Sequence, residues 1–119
     1  MNKKTLSPEQ IAALYRIATE IHLGHKTIRH GKEDAQLLHG INPNTAGLFL
    51  PNLKRMLSGE RYTSRMGEPM TRYFLDNIKK DFGDVALANA LVAVSKHAIY
   101  CRQIGFPLPF LQKILEDYQ

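Results

Sequence analysis

From Val85 to Ile104 the chain carries its longest apolar stretch, with Leu87, Leu91, Val94, Ala98 and Cys101 recurring at helical spacing. Alanines on its flanks let neighbouring elements approach closely, so the segment is expected to be the central helix. Gly105-Phe106-Pro107-Leu108-Pro109 ends it. Elsewhere no run alternates with period two and no Asn-Gly hairpin turn occurs, so the packing partners of that helix are expected to be helices too. The expected fold class is all-α, a compact single-domain bundle of five to six short helices. A length of 119 residues closes one hydrophobic core, so residues 1–119 are read as one helical domain, standing alone or as one domain of a longer protein.

Punctuation places the remaining elements. Ser7-Pro8-Glu9-Gln10 combines a serine N-cap, a proline at the first helical position and a glutamine three residues after the cap. Ile11, Leu14, Ala18 and Ile21 then mark one buried face, and Gly24 supplies the stop. His25 to Gly31 is polar and aperiodic and reads as a connection. A short helix over about Lys32 to His39 should turn Ala35 and Leu38 inward. Asn42-Pro43 or Asn44-Thr45 can cap a third helix, which Pro51 should end or kink before it resumes through Leu53, Met56 and Leu57. Pro69 opens a helix with Tyr73, Phe74, Ile78 and Phe82 as its stripe. Gly83 closes it and Asp84 caps the central helix. Phe110, Leu111, Ile114, Leu115 and Tyr118 form a last short helix.

Composition excludes several classes of protein. Hydrophobic and charged residues stand near globular averages, which argues against disorder. Cys101 is the only cysteine, so neither an intramolecular disulfide nor a thiolate metal cluster can form, and a reducing compartment is expected. After Met1 come Asn2, Lys3 and Lys4, with no apolar stretch suited to a signal peptide or a membrane span. A cytoplasmic location with no membrane partner is the expectation.

No catalytic template is met. The chain lacks a glycine-rich phosphate loop, a Gly-x-Ser-x-Gly elbow and a His-Glu-x-x-His pair, so no enzyme, no catalytic residue and no cofactor is expected. His22, His25, His30 and His39 have no thiolate or carboxylate in a metal-ligand spacing and read as solvated loop residues, not as a metal site. Lys32 to Ser58 has the layout of a helix-turn-helix, in which Asn42, Asn44 and Thr45 would meet base edges or phosphates. The same layout describes a plain helical corner, and Pro51 would break a recognition helix.

Charge speaks more directly. Between Lys54 and Lys80 lie Lys54, Arg55, Arg61, Arg65, Arg72, Lys79 and Lys80 against Glu60, Glu68 and Asp76, a surplus of four out of a formal charge of +5. Several surround the loop from Gly59 to Gly67, where Tyr62 adds an aromatic ring suited to base stacking. The alternative is a solvated face whose Arg and Lys stems cover core edges. His97 and Tyr100, three apart on the central helix, could face a groove or form a half-buried, hydrogen-bonded pair.

Met56 to Tyr62, Thr71 to Ile78 with Asp81-Phe82-Gly83, and then Leu87, Ala90-Leu91, His97 and Tyr100 resemble a helical accessory domain of bacterial restriction and mobile-DNA proteins, often found beside HNH nuclease domains. The resemblance covers about Asn42 to Arg102 and is a packing pattern. The HNH core and its zinc cysteines are absent here, so no nuclease activity carries over. What the resemblance implies is an accessory module that helps a neighbouring domain or subunit engage DNA.

The expected function is therefore a non-catalytic nucleic-acid-binding domain, for DNA ahead of RNA, working through Lys54, Arg55, Arg61, Tyr62, Arg65, Arg72, Lys79 and Lys80. The alternative is a protein-interaction or homodimerisation module built on the apolar segment from Phe106 to Tyr118.

Overall fold

Ser7 starts the first helix as its context dictates: its hydroxyl accepts from the Gln10 amide at 3.1 Å while Gln10 Oε1 accepts from the Ser7 amide at 3.0 Å. In the computed structural model, which describes residues 5–119, this helix is the first of seven among the described residues. Met1, Asn2, Lys3 and Lys4, read above for a targeting segment, lie outside the described residues. The elements are α1 (Pro8–His22), α2 (Ile28–His39), α3 (Pro43–Phe49), α4 (Asn52–Leu57), α5 (Glu68–Phe82), α6 (Asp84–Gln103) and α7 (Phe110–Asp117). The fold class is all-α, and no strand occurs among the described residues. Counting α3 and α4 as one helix broken at Pro51, the six expected elements are present.

The chain divides into two compact units, one running through Leu53 and the other Lys54–Gln119. In the first, α1 packs on α2 and α2 on α3. Ile11, Leu14 and Ala18 are buried as the periodicity requires, joined by Tyr15 and Ile17. The second helix differs from its expectation. It begins at Ile28, because Thr27 Oγ1 accepts from the His30 amide at 3.1 Å and supplies a cap inside what read as a connection. Gly31 is thereby helical and buried. A Cβ there would stand 2.8 Å from Ile21 Cδ1 and 2.9 Å from Ile17 Cγ2, so α1 and α2 meet closely at this point. Ala35 faces inward, but Leu38 is 70% exposed and Leu37 79%. Leu38 follows Gly31 by seven residues and so lies on the same side of the helix, but it sits in the last turn of α2, where it remains exposed.

In the second unit α5 packs against α6, and α7 against both. Phe74 and Ile78 are core residues as expected, but Leu75, Met70 and Thr71 replace Tyr73 and Phe82 as their fully buried companions. Gly83, at φ +97° and ψ −178°, ends α5 in a positive-φ backbone conformation that glycine alone adopts readily. The N-cap of α6 is Gly83, so Asp84 is the first residue of the helix, and not its cap. Helix α6 buries Ala90, Ala93, Val94, His97, Ala98 and Cys101, while Leu87 and Leu91 are half-buried. Among the described residues no helix is long and apolar enough to cross a membrane.

Candidate nucleic-acid interface

Residues 58–67 join α4 to α5 without a helix or a strand of their own, yet their backbone is held from one side by α6. Asn89 Nδ2 donates to the Leu57 carbonyl at 3.2 Å, Lys96 Nζ to the Gly59 carbonyl at 2.9 Å, and His97 Nδ1 to the Tyr62 carbonyl at 2.7 Å. The chain from the end of α4 into the loop is therefore pinned along the middle of α6, from Asn89 to His97. Tyr62 and Met66 point into the core, and Arg61, Thr63 and Arg65 point to solvent.

A carbonyl can only accept, so the 2.7 Å bond fixes the proton of a neutral His97 on Nδ1. Nε2 is then left as an acceptor, and the Cys101 thiol lies 3.6 Å away, able to donate to it. Burial holds His97 below the ordinary imidazole range, against the opposing influence of its bond to the Tyr62 carbonyl, and pushes the Cys101 thiol up. The pair is thus a neutral, buried, structural one. No activated nucleophile results.

The Tyr62 ring stacks on His97 with centroids 4.2 Å apart, and the residue is 1% exposed. This corrects the sequence expectation, because a ring so placed offers no face to a base. Its hydroxyl is buried and has no hydrogen-bond partner among the described residues, and desolvation pushes that phenol well above its ordinary range. A tyrosine in a polar, aperiodic stretch reads as exposed. Only the three bonds from α6, which pull the loop down, turn it inward.

The arginines on either side have a different fate. Arg61 lies over the half-buried Tyr100 ring, 4.8 Å from its centroid, and Arg65 over the exposed Phe106 ring at 3.9 Å. Among the described residues neither is in an ion pair. Two exposed guanidinium groups are therefore each stacked on an aromatic ring, one ring in the last turn of α6 and the other just past its end. Tyr100 and Phe106 were not among the sequence candidates for this role, since nothing in their spacing to Arg61 and Arg65 announces the stacking.

The other basic residues are not stacked in this way. Arg72 is only 29% exposed, donating to Asp117 Oδ2 at 2.8 Å and to Glu68 Oε2 at 3.0 Å, so its charge is locally neutralised. It is a structural link between α5 and α7. Beside it the Tyr118 hydroxyl donates to Asp76 Oδ1 at 2.8 Å, and burial together with Asp76 pushes that phenol up to about 12. Lys79 and Lys80 are exposed in the last turn of α5, where cations complement the helix dipole. They follow Glu68 by eleven and twelve residues, which puts them roughly 16–18 Å along α5 from its start, the end nearer Arg65. Lys54 and Arg55 are exposed on α4. Of the seven basic residues, Arg61 and Arg65 are stacked on rings, Arg72 is paired with two carboxylates, and Lys54, Arg55, Lys79 and Lys80 are exposed.

In the first unit Asn42 is the N-cap of α3, its Oδ1 accepting from the Asn44 amide at 2.8 Å. Asn44 is exposed and Thr45 half-buried. Helix α3 has seven residues, about 10 Å of length, and breaks before Pro51, which is too short a rod to lie along a groove. This corrects the helix-turn-helix layout to a helical corner. His39 meets Arg16 through Nε2 at 3.2 Å, and among the described residues no three His, Cys, Asp or Glu side chains converge as metal ligands would. The C-terminal apolar segment is mostly turned inward. Leu111 and Ile114 are core, Leu108 and Phe110 are half-buried, and Phe106 alone of the large side chains there is widely exposed, at 51%.

Compared with protein-family models, curated proteins and solved structures, the chain matches none.

Proposed function

We propose that this chain is a non-catalytic nucleic-acid-binding module, for DNA ahead of RNA, whose contact surface is the stacked pair Arg61 and Arg65 with Tyr100 and Phe106. The observation that carries the reading is the pairing of two exposed guanidinium groups, free of carboxylate partners among the described residues, with aromatic rings near one end of α6. Guanidinium groups held over aromatic faces keep their outward N–H groups for phosphate oxygens, and the planes themselves can stack on unpaired bases. Lys54, Arg55, Lys79 and Lys80 contribute longer-range attraction, and Arg72 is excluded from the contact set by its two carboxylate partners. The resemblance to accessory domains of bacterial restriction and mobile-DNA proteins fits a cytoplasmic module of this kind that assists a catalytic partner.

The test is binding of the purified chain to a labelled random duplex and to a single strand across a salt series. Binding is expected to weaken steeply with salt, and Arg61→Ala with Arg65→Ala should flatten the logarithmic salt slope by about 2, one for each phosphate that an arginine no longer neutralises. Arg72→Gln should leave that slope as it is. No binding at low salt, or an unchanged slope in the double variant, would remove the assignment.

A further inference from the structure

We infer that α6 is also a homodimerisation helix, pairing antiparallel with α6 of a second copy through the face that neither α5 nor the 58–67 loop covers. The buried side of α6 is accounted for by the core. On the opposite side Val85, Val92 and Ile99 stand 79%, 48% and 46% exposed at intervals of seven residues, the repeat of a helix-pairing seam. Between them, Ala88 and Ser95 on one flank are small and permit a close approach, while Asn89 and Lys96 on the other flank are drawn aside by their bonds to the Leu57 and Gly59 carbonyls.

The occupant follows from symmetry and charge. The stripe is centred on Val92, so an antiparallel partner of identical sequence sets Val92 against Val92 and Val85 against Ile99. It also brings the two ends of the helix together. Asp84 is the exposed first residue of α6 and Arg102 lies exposed in its last turn, and neither is in an ion pair among the described residues. In the antiparallel register Asp84 of one copy falls opposite Tyr100 of the other, two residues or about 3 Å along the axis from Arg102, within reach of the arginine side chain. Each dimer gains two such pairs and opposed helix dipoles. A parallel pair would instead set Asp84 against Asp84 and Arg102 against Arg102, so the charges select one orientation. A seam of one 20-residue helix from each copy is a small interface, and a dissociation constant on the order of micromolar is expected.

Sedimentation equilibrium of the full chain through the micromolar range should give a reversible monomer–dimer equilibrium. Val92→Glu, which buries a carboxylate against its own copy at the symmetry centre, should weaken the dimer about a hundredfold while far-ultraviolet circular dichroism stays the same. Orientation is read by cross-linking. Val92→Cys should oxidise to a disulfide-linked dimer, and a mixture of Val85→Cys and Ile99→Cys proteins should cross-link to each other but neither to itself, with the unaltered chain and its buried Cys101 as the control. A chain that stays monomeric throughout, a dimer indifferent to Val92→Glu, or self-linking of Val85→Cys would each overturn the proposal. These readouts are independent of nucleic acid, so they stand or fall apart from the Arg61 and Arg65 reading.

Discussion

Where α1 meets α2, a residue with no side chain lets the two helices pack tightly, whereas α6 holds the loop beside it through the polar ends of three side chains. At Gly31 the contact is steric: two isoleucine side chains occupy the volume that a Cβ would need. Along α6 it is directional, with Asn89 donating to the last carbonyl of α4 and Lys96 and His97 each to a loop carbonyl. The first kind of joint tolerates almost any solvent condition and almost no added atom. The second tolerates changes of shape better, but it depends on the protonation state of a buried imidazole. Packing density and hydrogen bonding fix pieces of one chain with opposite vulnerabilities.

The largest effect should come from the loop side. Tyr62→Ala removes a fully buried ring stacked on His97 and should cost about 3–5 kcal/mol in urea unfolding. Tyr62→Phe, which deletes only a hydroxyl without a partner, should be neutral or slightly stabilising. If Tyr62→Phe were as damaging as Tyr62→Ala, the ring would not be the anchor and the contrast with Gly31 would fail.

A smaller effect is expected on the steric side. Gly31→Ala forces Ile17 and Ile21 aside, a strain of about 1–3 kcal/mol that the better helix propensity of alanine, about 1 kcal/mol, offsets in part. A net loss of about 1–2 kcal/mol should appear, and hydrogen exchange should report it first in the amides of α1 and α2. Uniform loss of protection across both units would erase the distinction.

Acid separates the two joints most gently. Burial holds the folded-state pKa of His97 below its ordinary value of 6.5, so the unfolded chain takes up a proton that the folded one refuses. Stability should be unaffected by this group above that value and should decline as pH falls below it, toward the lower folded-state pKa. Circular dichroism melts across this window, repeated on His97→Gln, should show the decline only while the imidazole is present. Gly31 has nothing that titrates, and protection around it should not follow the same curve.

Much of the frame is legible in the sequence. Ser7 and Gln10 announce a capping box, Pro69 and Gly83 bound α5, and the seam of Val94, Ala98 and Cys101 marks the buried side of α6, all because these signals are local. What stays hidden there is what distant residues decide. Arg29-His30-Gly31 has the polarity of a loop, and only the cap at Thr27 and the close face of α1 make it helix. The ion pair that silences Arg72 spans 45 residues to Asp117, and no spacing rule reaches that far. The basic cluster is legible as a surplus of charge, but its division into stacked, neutralised and freely exposed members depends on rings and carboxylates supplied by other elements.

Tethering the 58–67 segment to α6 also changes how its arginines meet a partner. A loop that orders only when its ligand arrives gives up backbone freedom on contact, roughly 1–2 kcal/mol for each residue fixed. Here the carbonyls of Leu57, Gly59 and Tyr62 are already held, so that conformational entropy is given up during folding. Arg61 and Arg65 then meet whatever they bind from a nearly rigid track, and the barrier to encounter is set by diffusion and charge rather than by a search through loop conformations.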